Sequence, residues 1–164
     1  LIVFDEPVIT VIPNVNRPYS RGWIELASAD IRDHPRIECR LLEDERDVAT
    51  LIAGCRILRR ICAAAPLSMR ILAELAPGPE VNSDDEFAAF IRANCITIFH
   101  PCGTCRMGTD EAAVVDPELR VHDIDRLRII DASIMPHLVS GNINAPVIMI
   151  GERGAEFVRR SFRG

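Results

Sequence analysis

The sequence predicts an α+β fold, and three observations carry this prediction. The first forty residues form short β-like runs separated by turns, which is typical of antiparallel structure. Residues 44–64 instead carry apolar side chains at helical spacing, and a capping sequence at Ser83 starts a second helix. From Ile96 to about residue 143 the chain is strand-like and interrupted by glycines, and a final helix begins near Asn144.

The β-like part begins with a predicted strand over residues 1–13, ended by Pro13. Two shorter strands are predicted at 23–26 and 36–39, and His34-Pro35 marks the loop between them. These segments predict a meandering antiparallel sheet.

The first helix is predicted over residues 44–64, with acidic residues at its N-terminus and Pro66 after its end. A shorter helix is predicted over 67–75. Its longer neighbour has a regular apolar stripe: Val48, Leu51, Ile52, Cys55, Leu58 and Cys62.

The second half of the chain contains a capping box, in which Ser83 is the N-cap and Glu86 lies three residues later. The last helix is predicted to use Asn144 as its N-cap and to accept Pro146 in its first turn. Three short strands are predicted between these helices, at 114–115, 119–121 and 127–130.

Composition excludes several classes of protein. The net charge of −5 argues against nucleic-acid binding, which needs a basic surface. The longest apolar stretches are too short to span a bilayer. Six irregularly spaced cysteines favour a reducing, cytoplasmic setting over a disulfide scaffold.

Because the chain opens with Leu1 in a β-like run, we expect a piece of a longer protein.

The densest cluster of reactive side chains is the segment 100–108, and several interpretations compete for it. Cys102 and Cys105 form a CxxC motif, which occurs in redox proteins and in metal sites. The redox interpretation is weakened by Gly103 and Gly108, which disfavour the helix that such a motif needs. The metal interpretation lacks a second CxxC pair. Alternatively, His100 acts alone beside a bound cofactor, or it is a histidine satisfied within a polar turn.

Two further segments are weak signals when taken alone. Residues 127–133 end a predicted strand in an acid and small residues, which allow a ligand to approach the backbone. Residues 140–146 start the last helix, where free N–H groups suit an electron-rich ligand. An ordinary strand end and a plain N-cap would look the same.

Together, these spaced motifs resemble the C-terminal signature of the glucose–methanol–choline (GMC) oxidoreductases. The signature is carried by His100–Gly108, Val114–Asp116, Leu127–Pro136 and Ser140–Pro146. The segment 18–45 resembles part of the substrate domain of the same family. One departure is His122-Asp123-Ile124, where the family often has a glycine. Since Asp tolerates tight turns, we expect only a local adjustment there.

The resemblance implies an FAD-dependent enzyme that oxidises a small-molecule alcohol to a carbonyl. It implies that His100 accepts the hydroxyl proton and that Asn142 orients the substrate. It also implies cofactor contacts at the end of the predicted strand and at the last five positions of the signature: Asp131, Ala132, Asn142, Ile143, Asn144, Ala145 and Pro146. No metal is implied. A hydroxynitrile lyase on the same scaffold is the alternative within the family.

The family holds the ADP half of FAD with an N-terminal Rossmann-type unit, and this sequence contains no G-x-G-x-x-G. We therefore expect 1–95 to form part of a substrate-binding domain with an antiparallel sheet and helices. Residues 96–164 would complete the active site and add a C-terminal strand and helix to a Rossmann-like domain. An N-terminal FAD-binding chain or segment would be the required partner.

Overall fold

The structure is a computed structural model that describes Asp5 and residues 7–162. Within them are a two-stranded antiparallel sheet, three α-helices and two short 3-10 turns. The predicted combination of helices with an antiparallel sheet is confirmed, although the described residues contain less strand than predicted. The regular elements are β1 (Trp23–Glu25), β2 (Arg36–Glu38), α1 (Glu45–Ala63), α2 (Asp84–Asn94) and α3 (Asn144–Ser161).

The described residues divide into two compact units. One is built from residues within 1–22 and 39–96, and the other from residues within 23–38 and 97–164. The first unit therefore contains α1 and α2. The second contains α3 and the hairpin, which is formed by the antiparallel strands β1 and β2. None of the described helices combines the length and the apolar composition of a membrane-spanning segment.

The core of the first unit lies between α1 and α2, as their apolar stripes predict. Its buried side chains are Leu42, Val48, Leu51, Ile52, Phe87 and Ile91. The capping box of α2 is confirmed: the Ser83 side chain accepts from the Glu86 N–H, and the Glu86 carboxylate accepts from the Ser83 N–H. At α1 the cap is Asp44, which accepts from the Arg46 N–H.

The buried acid of this unit is Asp47, whose residue exposure is only 2%. Its carboxylate accepts hydrogen bonds from the N–H groups of Tyr19 and Ser20 and from the Ser20 hydroxyl, at 2.6–2.9 Å. Burial alone would raise the pKa of Asp47, but these hydrogen bonds outweigh it and hold the pKa below its ordinary value. Asp47 thus fastens the segment before the hairpin to the first turn of α1.

The helix predicted over 67–75 is wrong, because only a 3-10 turn forms at Leu67–Met69. The rest of this connection is held by a side chain and not by helical hydrogen bonds. Arg59 of α1 donates to the carboxylate of Glu74 and to the carbonyls of Gly78 and Val81. Its guanidinium also lies 4.7 Å from the centre of the Phe87 ring.

The core of the second unit is formed by α3 and the loops before it. Its buried members are Val115, Leu119, Ile134, Met135, Ile143, Ile150 and Phe157. The predicted strands at 114–115, 119–121 and 127–130 are wrong as regular strands, since only isolated bridges join these segments. Left-handed residues at Leu119, Asp123 and Arg126 bend the chain before a ladder can extend. Asp123, at φ +59°, makes the tight turn expected of it.

Two further predictions need correction. The strand over 1–13 lies partly outside the described residues, and residues 7–13 form no strand because no other strand pairs with them. Asn144 is the first residue of α3 and not its N-cap. Ile143 takes that position, because its carbonyl accepts from the Val147 N–H while its side chain is buried in the core.

Candidate functional site

His100 is half-buried and lies in the second unit, at the start of a loop that is anchored downstream. The N–H of Cys105 donates to the Ser133 carbonyl at 3.0 Å, and the N–H of Met107 donates to the Ile134 carbonyl at 2.8 Å. These bonds join the segment after His100 to the segment 131–136. Two of the motifs separated in sequence therefore lie side by side.

The turn within the His100 motif is braced by an ion pair. Arg106 donates to the carboxylate of Asp110, with Nη1 2.9 Å from Oδ2. This guanidinium lowers the pKa of Asp110 to about 2. The pair encloses Gly108, where an added Cβ would lie 3.1 Å from the side chains of Arg106, Asp110 and Ala113. The ion pair fixes the C-terminal end of the motif, and His100 at the other end is half-buried.

Asp131 and Ala132 form the start of a 3-10 turn at Ala132–Ile134. The Asp131 carboxylate accepts from the Ser133 N–H at 2.8 Å, so it caps its own turn. Asp131 is exposed and Ala132 is half-buried against the core. Both backbones thus lie at the edge of the core, where a ligand could reach them.

The start of α3 combines one buried residue with a row of accessible ones. Ile143 is 8% exposed, whereas Asn142, Asn144 and Ala145 are exposed and Pro146 is half-buried. The first turn of α3 contains no acidic residue, in contrast to α1 and α2. The partial positive charge of this helix terminus is therefore not neutralised by its own side chains.

One apolar core brings the three motifs together. Ile143, next to Asn142, and Met135, four residues after Asp131, are both buried in it. Cys102, two residues after His100, packs against the same cluster. The backbones that carry the predicted site residues therefore converge, and the roles of the His100 and Asn142 side chains towards the substrate stay predictions.

Comparison with known proteins shows the family to which the chain belongs. The family model described as GMC oxidoreductase matches residues 18–151, which is most of the chain. The chain belongs to the GMC oxidoreductase family. An alcohol dehydrogenase [acceptor] from Pseudomonas putida is 51% identical over 143 residues, which cover 87% of this chain and 26% of that protein.

Other GMC relatives agree. An oxygen-dependent choline dehydrogenase from Proteus mirabilis is 44% identical, with 87% of this chain and 26% of that protein covered. The solved structure of an FAD-dependent oxidoreductase from Chaetomium thermophilum is 32% identical, with a TM-score of 0.83 over 90% of this chain and 26% of that one. The chain thus spans about a quarter of the length of the relatives it matches.

The competing interpretations of the CxxC motif gain no support from the geometry. No helix begins at Cys102 or Cys105, and Gly103 adopts φ +90° between them. All six cysteines lie among the described residues, and no disulfide joins them. Within Asp5 and 7–162, no three or more His, Cys, Asp or Glu side chains converge in a way that could hold a metal.

Sequence reasoning missed the conformation of the residues just before His100. The chain from Ile96 was predicted to be strand-like, but Phe99 has a left-handed backbone with φ +62°. Its N–H donates to Oγ1 of Thr97 at 3.1 Å. No sequence signal predicts this, because Gly, Asn and Asp are the usual residues in that conformation and Phe is not.

Proposed function

We propose that this chain is the C-terminal, active-site part of an FAD-dependent enzyme that oxidises an alcohol to a carbonyl. The observation that carries the proposal is the convergence of the His100, Asp131 and Asn142 segments on one core in a chain of the GMC family. Membership gives the reaction class, and the convergence brings the residues that match the family motif into one region.

The chain's own residues fit the ring end of a flavin. The start of α3 offers the exposed Asn142, Asn144 and Ala145 beside Ile143 and Pro146, and no acid opposes negative charge there. Near this terminus, an added Cβ on Gly141 would meet nothing within 4 Å. We assign cofactor contacts to these residues and to Asp131 and Ala132. Bound FAD supplies the hydride acceptor, and this helix terminus favours the charge that grows on reduction.

The protein's part in the chemistry is to move one proton and to hold the substrate. A neutral imidazole at His100 accepts the hydroxyl proton as the carbinol carbon loses its hydride, so the alcohol leaves as a carbonyl. The Asn142 amide donates a hydrogen bond to the substrate oxygen and holds the reacting carbon in place. Choline-type or aliphatic alcohols are the proposed substrates, in keeping with the names of the relatives.

The ADP half of FAD needs a partner, which we propose to be an N-terminal FAD-binding segment. The matched 143 residues make up only 26% of each relative, so most of each relative's length lies outside the match. The hairpin supports this proposal, because every residue of β1 and β2 is exposed, and Ile24 and Ile37 are 46% and 65% exposed. We assign 1–95 to the substrate-binding domain and 96–164 to the site and the FAD domain, in a reducing, cytoplasmic setting. Without its partner, the purified chain should show no flavin absorbance.

The decisive experiment compares two histidines that both precede a proline. In the flavin-loaded enzyme, His100→Ala should lower kcat about 10²- to 10⁴-fold at unchanged flavin content. His34→Ala is the matched control, since His34 is exposed and precedes Pro35. Near-normal turnover in His100→Ala would refute the base assignment. If an alcohol does not reduce the flavin while a hydroxynitrile is cleaved, the enzyme is the lyase.

A further inference from the structure

The backbone next to His100 takes a strained conformation at Phe99. Phe99 has φ +62°, a conformation that costs a bulky residue about 1–3 kcal/mol. Its side chain is 80% exposed, so burial of the ring within the described residues does not offset that cost. Strain of this kind persists only where the surrounding structure holds it, and such residues cluster at functional sites.

The strained turn has its own support. The Phe99 N–H donates to the Thr97 hydroxyl oxygen at 3.1 Å, which closes a local turn across two residues. Without this bond, Phe99 would be expected to relax towards an extended conformation. Thr97 and Phe99 lie in the same compact unit as His100, so the turn is a local feature of that unit.

The chain on the C-terminal side of His100 is held by contacts other than the Thr97–Phe99 hydrogen bond. Pro101 restricts the backbone of His100 to extended conformations. Cys102 then packs against the core, and the Cys105 N–H is bonded to the Ser133 carbonyl. The downstream chain is therefore anchored, and the Thr97–Phe99 turn is the feature that immediately precedes His100 on the other side.

We propose that Thr97 and Phe99 are positioning residues, whose left-handed turn aims the His100 imidazole at the substrate hydroxyl. This inference rests on the proposed role of His100 as the proton acceptor. A left-handed residue reverses the local course of the chain, so its loss would displace the residue that follows. Misplacement of a catalytic group by about 1 Å can cost about 10²-fold in rate.

The experiment separates the backbone of Phe99 from its ring. Phe99→Gly and Phe99→Asn remove the ring but favour the left-handed conformation, whereas Phe99→Val keeps an apolar side chain but disfavours that conformation. In the flavin-loaded enzyme, we expect kcat per bound flavin to stay within about threefold for Gly and Asn and to fall about 10- to 100-fold for Val. Thr97→Val should fall similarly, and Thr97→Ser should retain activity.

A second readout distinguishes misaligned proton transfer from general damage. The solvent deuterium isotope effect on flavin reduction should rise in Phe99→Val and Thr97→Val and stay at the wild-type value in Phe99→Gly and Thr97→Ser. Rates are normalised to bound flavin, so partial loss of folded enzyme does not obscure the result.

Three results would overturn the inference. One is an active Phe99→Val beside an inactive Phe99→Gly, which would assign the role to the ring. The second is equal activity of all Phe99 variants, and the third is an unchanged isotope effect in Thr97→Val. Each of these results overturns the inference only if His100→Ala is inactive in the same assay. If His100→Ala itself retains turnover, the proposed function has failed, and that failure is visible separately.

Discussion

Gly154 of α3 lies directly against Ile130, so close that a Cβ on Gly154 would be 2.8 Å from Cδ1 of Ile130. No real Cβ tolerates such a distance. The glycine therefore lets α3 pack onto the segment that leads into Asp131, and this contact ties the helix to one of the segments of the candidate site.

Gly154→Ala should therefore destabilise the protein by about 1–3 kcal/mol, because the Ile130 side chain or α3 must move. Gly151→Ala is the matched control on the same helix. An added Cβ there meets nothing within 4 Å, so better helix propensity should make this variant up to about 1 kcal/mol more stable. Urea unfolding of both variants measures the difference. Equal stability of the two variants would contradict close packing at Gly154.

Asp47→Asn should lower the free energy of unfolding by about 1–3 kcal/mol at pH 7, because an amide cannot accept all the hydrogen bonds that Tyr19 and Ser20 donate to the carboxylate. The exposed Asp85→Asn on α2 is the control and should change little.

The stability difference between wild type and Asp47→Asn should depend on pH, because the pKa of Asp47 is lowered in the folded protein. Its stabilising effect is complete above the unfolded pKa of about 3.9 and is lost as pH falls through the lower folded value. The stability gap between wild type and Asp47→Asn should therefore narrow below about pH 4. A gap that is constant from pH 7 to pH 3 would argue against a charged Asp47.

Arg59→Lys should loosen the connection between α1 and α2, since one ammonium cannot replace a guanidinium that reaches Glu74, Gly78 and Val81 at once. Amide hydrogen exchange over residues 74–82 should accelerate, and the free energy of unfolding should fall by about 2 kcal/mol. The neighbouring Arg60→Lys, at an exposed position, should leave exchange unchanged. Protection that survives in Arg59→Lys would mean that the backbone holds this loop by itself.

Asn142→Leu should lower kcat/KM about tenfold in the flavin-loaded enzyme, because the substrate oxygen loses one hydrogen bond while side-chain size is kept. Asn94→Leu on α2, in the other compact unit, is the control and should leave kcat/KM unchanged. If Asn142→Leu behaves like Asn94→Leu, Asn142 does not contact the substrate.

Local patterns predicted the three long helices well, although not the turn at 67–69. The capping box at Ser83 and the apolar stripe from Val48 depend on neighbours within a few residues, and both appear in the structure nearly as predicted. The short strands at 114–130 were not predictable in the same way. A strand needs a partner in register, and left-handed residues such as Leu119 and Arg126 interrupt the pairing without any mark in the sequence.

By itself, the sequence determined the family, the three long helices and the identity of the candidate site residues, because these depend on the spacing of residue types along the chain. Only the tertiary structure decided how the motifs of His100, Asp131 and Asn142 share one core, since that contact joins residues distant in sequence. It also decided that Asp47 is a buried acceptor and that Phe99 is left-handed. Asp47 accepts from Tyr19 and Ser20, which are distant in sequence, and the Phe99 N–H is bonded to the Thr97 hydroxyl, a turn that these residue types do not predict.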